Sequence, residues 1–407
     1  MSGVASGAGG PGLRSPGPAA VATGWYGAED CDLAEFREIV EATTQLADYP
    51  LADAVLDNVL VYGPQVYERC GDSATRRAVQ AEVAQALVDG PGIVVFKHAF
   101  EPTVVDAATD AFDRLIARQK AAGAVTGDHF AKPGANDRVW GALDKLAVSA
   151  PDVFVSYYAN DVLALASEAW LGPNYQVTSQ VNVVNPGGQA QVAHRDYHLG
   201  FMDRAQAEAY PAQVHALSPA LTLQGAVAHV DMPVETGPTL YLPHSQKYGP
   251  GYVAYHDPAF TEYFEAHYVQ LPLEKGDAVF FNPASFHGAG SNLTSDVRRM
   301  ANLLQVSSAF GRAMETVDTV AICNAIFPTL LAKRADGAGD SELSNVVAAA
   351  AEGYAFPTNL DRDQPVGSLV PQSQAHLLRQ ALDEEWNPSR LADALDAQQA
   401  RRRSQPG

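Results

Sequence analysis

His194 and Asp196 stand two residues apart in His194-Arg195-Asp196, just after the turn signal Asn185-Pro186-Gly187-Gly188. In extended backbone, residues i and i+2 project to the same side, so this imidazole and carboxylate can reach one metal ion together. Holding Fe(II) on one face with open positions left over needs a third ligand, which can come from a distant strand. His287 is the best candidate. It follows a turn and an apolar run over residues 273–281, and it precedes Gly288-Ala289-Gly290-Ser291-Asn292, where glycine permits close approach. Taken alone, His287 reads better as a hydrogen-bonded loop residue. A single His-x-Asp pair is weak evidence, and the chain holds a second, His229-Val230-Asp231. Its setting inside the run Ala226-Val227-Ala228 favours a core or supporting histidine.

Arg298 and Arg299 open the apolar run of residues 300–306. Neighbours on a strand face opposite sides, so only one of the two points inward. Arg298, eleven residues beyond His287, is assigned that place. Its planar five-donor fork suits the distal carboxylate of a dicarboxylic acid cosubstrate. The alternative is a structural arginine paired with Asp277 or Asp296.

The elements that would hold these groups are short alternating or β-rich runs between Gly, Pro, Asn and Asp, at residues 176–184, 221–230, 239–242, 268–273, 278–282 and 298–307. They predict a sandwich or barrel. Before them, Ile93-Val94-Val95-Phe96 predicts a buried strand and Pro102 the start of a helix presenting Val105, Ala108, Phe112, Leu115 and Ile116. Residues 32–88 read as helices, the last closing near Leu87-Val88 with Asp89-Gly90 as its stop. Beyond Arg312 helical spacing returns, with Ala375, Leu378, Ala381 and Leu382 on one face and Asn387-Pro388 as a break. The basic tail Arg401-Arg402-Arg403 reads as solvated. The expected organisation is a flexible leader over 1–25, N-terminal helices over 26–90, a β-rich core with packing helices over 91–312 and a C-terminal helical extension over 313–407.

Composition restricts the function classes. Of 407 residues, 47% are apolar and 18% charged, an ordinary globular balance, and 27 basic against 47 acidic residues leave a net charge of −20. Long-range repulsion then disfavours nucleic acid and anionic membranes as partners. The three cysteines, Cys31, Cys70 and Cys323, are widely spaced and form no zinc knuckle, which fits a reducing, cytoplasmic setting. No export signal or membrane-spanning run is evident. Asn292-Leu293-Thr294 matches a glycosylation acceptor but reads as a plain loop.

The stretches Asp89-Gly-Pro-Gly-Ile-Val-Val-Phe-Lys97, His194-Arg-Asp-Tyr-His-Leu-Gly-Phe201, Glu235-Thr-Gly-Pro-Thr-Leu-Tyr-Leu-Pro-His-Ser245, Glu274-Lys-Gly-Asp277 and His287-Gly-Ala-Gly-Ser-Asn292 through Arg298 resemble, in order and spacing, the phytanoyl-CoA dioxygenase family of iron and 2-oxoglutarate dependent oxygenases. The resemblance spans roughly 90–310. It implies an α+β chain whose core is a double-stranded β-helix (a cupin-like jelly roll) with helical flanks. It also implies His194, Asp196 and His287 as Fe(II) ligands, Arg298 holding 2-oxoglutarate, and dioxygen as the second cosubstrate. The implied reaction hydroxylates an unactivated carbon of a small metabolite or natural-product intermediate, with succinate and CO2 released. Halogenating relatives carry a small residue where this chain has Asp196, so the carboxylate favours oxygen transfer. The acidic charge argues against a fatty acyl-CoA substrate.

Other positions are open to two readings. Gln180, Asn182 and Gln224 lie on strand faces as hydrogen-bonding groups for cosubstrate or substrate, or as ordinary polar lining. His198 reads as substrate-facing or as support for the ligands. Lys132 and Arg138 read as surface charges, with an anionic ligand as the alternative. His244 sits where the family often has Gly-Ser-His, and it stays unassigned. Two further classes share the three ligands or the fold: a metal-dependent isomerase or hydrolase with no use for an inward arginine, and a non-catalytic ligand-binding relative.

Overall fold

The computed structural model describes residues 24–123, 135–198 and 200–404. Most of the expected leader, and Lys132, lie outside the described residues. Eleven strands appear among the described residues: β1 Ala54–Leu56, β2 Val59–Tyr62, β3 Ile93–Phe96, β4 Asn136–Val139, β5 Gln176–Val184, β6 Thr222–Ala228, β7 Leu240–Leu242, β8 Val269–Gln270, β9 Ala278–Phe281, β10 Phe286–Gly288 and β11 Arg299–Ser307. Eight form one sheet in the order β1-β2-β3-β9-β6-β11-β5-β4, and three form a second in the order β10-β7-β8.

Along the chain the core strands alternate between the sheets. β5 lies in the large sheet, the His194 segment bridges to β10 of the small sheet, β6 returns to the large one, β7 and β8 to the small, β9 to the large, β10 to the small and β11 to the large. This alternation of antiparallel strands is the double-stranded β-helix, which leaves a cavity between two facing sheets.

The large sheet is buried on both faces, which is why its strands read as near-continuous apolar runs. One face, including Val94, Phe96, Leu223, Val227, Phe280, Met300, Leu304 and Val306, packs on the helices. The other, including Val95, Ala226, Ala228, Val279 and Phe281, meets Tyr241 and Leu271 inside the β-helix. The C-terminal helices Thr319–Ala335, Asp340–Ala350, Gln374–Asp383 and Pro388–Arg402 join the outer core, with Ala375, Leu378, Ala381 and Leu382 all buried. Asn387 marks a helix start, since its side chain accepts from Arg390 N–H and Pro388 occupies the first turn. The helix Ser73–Val88 ends at Asp89 as its spacing predicts.

Two expectations need correction here. Residues 32–88 are not helical throughout: β1 and β2 form a hairpin whose turn residues Asp57 and Asn58 both have positive φ, and β2 adds in parallel to β3. The Asp-Asn pair between Val55-Leu56 and Val59-Leu60 is the signal for that turn, masked by helical spacing on both sides. The tail is only partly solvated: Arg402, its side chain 14% exposed, pairs with Glu352 (2.8 Å) and Arg401, 43% exposed, with Asp363 (3.1 Å), tying the last helix to the segment before Gln374, while Arg403 is exposed.

The second His-x-Asp is structural. His229 is 1% exposed, its Nδ1–H donates to Thr109 Oγ1 (2.8 Å), and its Nε2 accepts from Tyr157 O–H (3.0 Å). Burial holds its imidazole down at about 3, against a weak opposing pull from Asp106. The unfolded chain therefore takes up a proton near pH 6.5 that the folded chain refuses. This stabilisation is complete above pH 6.5 and is lost as pH falls toward 3, at about 1.4 kcal/mol per pH unit for one group. Denaturant unfolding at pH 7, 5.5 and 4.5 should show wild-type stability falling more steeply than that of His229→Gln; parallel losses would contradict this.

Candidate metal centre

The His194 segment and β10 exchange backbone hydrogen bonds, His194 N–H to His287 O (2.9 Å) and His287 N–H to His194 O (3.1 Å). Two residues remote in sequence thus become direct neighbours, with ring centroids 4.4 Å apart. Asp196, on the same side as His194, brings its carboxylate to both: 3.9 Å from His194 Nε2 and 3.7 Å from His287 Nε2. One donor atom from each of the three lies within 4.8 Å of the others.

The surroundings fix the direction of each donor. His194 Nδ1–H donates to Val192 O and His287 Nδ1–H to Ser285 O, both at 2.9 Å, so each ring turns a lone-pair Nε2 inward. Backbone acceptors on Nδ1 are the usual way to orient a metal-binding imidazole. Burial first, and the adjacent His194 second, hold the His287 ring down at about 4, leaving it neutral and able to donate an electron pair. Asp196 N–H donates to Pro283 O (3.0 Å), its carbonyl accepts from Tyr252 O–H (3.0 Å), and its Oδ2 accepts from Gln224 Nε2. Its Oδ1 is buried with no hydrogen-bond partner. A carboxylate oxygen desolvated between two lone pairs is destabilising unless a cation joins them. The donor set of two nitrogens and one carboxylate suits Fe(II).

Between the two motif ligands, Arg195 turns away and is fully buried against Tyr252 (5.3 Å to the ring centroid) and Phe286 (5.1 Å), donating to Ser245 O. Any side chain on Gly251 would collide with this guanidinium.

Gln180, Asn182 and Gln224 all line the cavity that contains the triad. Their parts differ. Gln224 grips Asp196 rather than waiting for a cosubstrate, and Gln180 Oε1 accepts from Arg138 Nη2 (2.5 Å). Asn182 Oδ1 is buried without a hydrogen-bond partner. Gln224→Leu is expected to weaken Fe(II) affinity about 10–100-fold, the range found when a ligand's hydrogen-bonding partner is lost. Anaerobic metal titration checks this, and unchanged affinity would show that the contact carries no weight.

The arginine assignment is corrected. Arg298 faces outward, its side chain 49% exposed and paired with Asp113 at 3.2 Å. Of this pair it is Arg299 that lines the cavity, on the strand face with Ala301, Leu303 and Gln305. The run 300–306 misleads because Met300, Leu304 and Val306 pack on the helices, so the face that looks apolar is the outer one. Arg299 is 6% exposed, and Nη1 donates to Gly290 O (3.3 Å). No carboxylate among the described residues pairs with it, and burial pushes it down to about 10.

Several residues outside the sequence reading line the same cavity, notably Trp140, Phe201, Tyr241 and Met314. Tyr241 is the central residue of β7, Trp140 follows β4, and Phe201 and Met314 come from loops, and no chemistry-bearing spacing links the four. Arg138, read as a surface charge, also lines it. His198 does not line this cavity. Its Nδ1–H donates to Thr222 Oγ1 (2.6 Å) and its Nε2 accepts from Arg312 N–H (3.0 Å), fastening the loop after Asp196 to β6. His244 is buried in a left-handed conformation, bonding Thr44 Oγ1 (3.1 Å) and receiving Lys247 Nζ (2.8 Å), so it ties the small sheet to the N-terminal region. Asn292 is buried and bonds Val184 O (3.0 Å) and Val297 O (2.8 Å), a loop brace.

A double-stranded β-helix with two imidazoles and a carboxylate at one mouth is the framework of the non-haem iron oxygenases. The chain belongs to the phytanoyl-CoA dioxygenase family, whose model matches residues 88–300, just over half of its length. It is an iron and 2-oxoglutarate dependent enzyme of the oxygenase type, and Fe(II), 2-oxoglutarate and dioxygen are its cofactors. No curated protein matches the chain. Among solved structures, the non-haem epimerase SnoN from nogalamycin biosynthesis is 20% identical, with a TM-score of 0.39 over 58% of this chain and 82% of its own. The carbocyclase SnoK from the same biosynthesis is 20% identical, with a TM-score of 0.42 over 56% and 83%. HygX from Streptomyces hygroscopicus, solved with nickel, 2-oxoglutarate and hygromycin B, is 16% identical, with a TM-score of 0.40 over 56% and 87%. Likeness at this level carries no argument about activity. No helix among the described residues is long and apolar enough to cross a membrane.

Proposed function

We propose that this enzyme hydroxylates an unactivated carbon of a small metabolite or natural-product intermediate, releasing succinate and CO2, with His194, Asp196 and His287 as the iron ligands. The observation that supports it most is the pairing, in one cavity, of a buried carboxylate oxygen and a buried guanidinium that, among the described residues, have respectively no hydrogen-bond partner and no carboxylate partner. Each is costly alone and is relieved by one half of an iron and keto-diacid pair.

When bound, Fe(II) and 2-oxoglutarate supply an oxidant able to break an unactivated C–H bond. The chain's own residues do the rest. His194 Nε2, His287 Nε2 and the Asp196 carboxylate would hold the metal on one face, with Gln224 and the two backbone carbonyls fixing their angles. Arg299 is assigned the distal carboxylate of 2-oxoglutarate, the role expected of Arg298, and Asn182 offers a further hydrogen bond from the wall. Ala226, Ala228, Val279 and Leu303 keep that side of the cavity apolar and dry, which strengthens the charge contacts and protects the reaction from water. The retained carboxylate at position 196 favours oxygen transfer over halogenation. The net charge of −20 and three free cysteines fit a small-molecule enzyme of a reducing, cytoplasmic compartment, without nucleic acid or membrane as partner.

Incubating the enzyme with Fe(II), 2-oxoglutarate and air should release succinate, and omission of Fe(II) should stop it. Absence of succinate with intact, iron-loaded protein would favour an isomerase or hydrolase.

A further inference from the structure

The cavity of the candidate centre and a groove on the surface share a wall. The small sheet has three strands against the eight of the large one and ends at β8, so part of the cover over β2 and β3 comes from irregular chain, residues 231–233 and 271–274. These two segments hold each other by one pair of backbone hydrogen bonds, Met232 N–H to Leu273 O (2.7 Å) and Leu273 N–H to Met232 O (3.0 Å). The groove beside them has the exposed Leu56, Pro233 and Glu274 along its rim. Val95, Leu271 and Leu273 line both the groove and the cavity, so three aliphatic side chains stand as a partition between them.

The strand register continues this apolar surface inward. Val61, Val95, Val279, Ala226, Leu303 and Gln180 are successive direct partners across β2, β3, β9, β6, β11 and β5. Direct partners point to one face and neighbouring strands lie about 4.8 Å apart, so the row runs about 24 Å from the groove to the polar end of the cavity. All but the last member are aliphatic. Ala226 is two residues along β6 from Gln224, which grips Asp196, and beside it Ala228 and Ala301 oppose each other with only methyl groups. Water finds no hydrogen-bonding partner on such a surface, and dry apolar space takes up small apolar species instead. Size decides which. Val95 is 2% exposed, Leu271 6% and Leu273 9%, so the partition is closed at rest and passes only what can slip by on a side-chain rotation. Substrate and 2-oxoglutarate are too large for it and must use the mouth, where His194 and the half-exposed Phe201 lie. Dioxygen is small, neutral and apolar, and it is needed at the metal while the other two fill the mouth.

We propose that dioxygen reaches the candidate centre by this second way, from the groove past Val95, Leu271 and Leu273 and along the aliphatic row. This rests on the reading of the cavity as an iron and 2-oxoglutarate site and gives the gas its own entry to it.

Two measurements test it, neither needing turnover. Crystals of the full-length protein under xenon pressure, without metal, should show xenon against Val95, Leu271 and Leu273. For the second, full-length protein is loaded anaerobically with Fe(II) and 2-oxoglutarate, and its mouth is then closed by a bulky maleimide on Phe201→Cys in a Cys31→Ser background. Slowed exchange of 2-oxoglutarate verifies the closure. Nitric oxide, a probe of dioxygen's size, should still reach the iron, as read in stopped flow by the visible absorption of its adduct. Val95→Phe should slow this capture about tenfold, because overpacking raises the barrier to each opening, and Val95→Ala should speed it, with Fe(II) and 2-oxoglutarate affinities unchanged in both. Leu273→Phe, at the other side of the partition, should slow capture as well and serves if Val95→Phe does not fold. Absence of xenon at the partition, capture abolished by closing the mouth alone, or capture at the wild-type rate in a folded phenylalanine variant would overturn the proposal. Xenon at the partition in protein that binds no Fe(II) would instead overturn the underlying function.

Discussion

Replacing Arg299 with alanine is expected to weaken 2-oxoglutarate binding by about a hundredfold to a thousandfold while leaving Fe(II) affinity near that of wild type. The size follows from burial. Removing one partner of a buried, hydrogen-bonded charge pair costs about 3–5 kcal/mol, and every 1.4 kcal/mol or so is tenfold in affinity. Arg298→Ala, one residue away, should change the same constant by less than about threefold, because an exposed pair such as that with Asp113 contributes little. The apo protein supplies a second readout. Arg299 carries its charge into the cavity with no carboxylate of the described residues paired with it, so Arg299→Met should unfold at a temperature no lower than wild type. A larger effect from Arg298→Ala, or equal loss of metal and cosubstrate in Arg299→Ala, would show that the inward arginine has been misidentified.

Asp196→Ala should remove high-affinity Fe(II) binding, by more than about a hundredfold, and abolish succinate release. Loss of a hydrogen bond to a ligand costs about 10–100-fold in metal affinity, and loss of the ligand itself must exceed that. A structural role predicts something different. The Asp196 backbone is held independently through Pro283 O and Tyr252 O–H, so the segment keeps its path without the carboxylate. Removing a buried anion that faces two imidazole lone pairs should leave the melting temperature of the apo protein unchanged or higher. Anaerobic metal titration and thermal unfolding of the same sample separate the cases: intact iron affinity, or collapse of the apo fold, would contradict a ligand role.

Strand positions were legible wherever turn residues bounded a β-branched run. Ile93–Phe96, after Pro91-Gly92, and Gln176–Val184, after Gly172-Pro173-Asn174, were both readable to the residue. The triad was legible because parity puts His194 and Asp196 on one side and a distant strand can supply the third ligand, for which His287 was the best candidate. That His287 lies against His194 is a property of how the two sheets close, which no local spacing carries. The arginine was misassigned because parity fixes that Arg298 and Arg299 diverge but not which side is the cavity. In a strand covered on both faces, Met300, Leu304 and Val306 mark the helix-packed side as convincingly as they would mark an interior. Residues 54–62 were lost for the reverse reason, a short hairpin flanked by strong helical periodicity. Trp140 and Phe201 were beyond reach as cavity residues, since a strand end and a loop converge on the mouth only in three dimensions, while Arg138 was legible only as the lesser of two readings.

The most direct measurement adds Fe(II) to the purified protein without oxygen, then 2-oxoglutarate, and records the visible absorption. A weak charge-transfer band should appear only when both are present, and it should be absent in Asp196→Ala at any concentration that saturates wild type. No band in wild type at saturating iron and 2-oxoglutarate, or a band that persists in Asp196→Ala, would contradict the account.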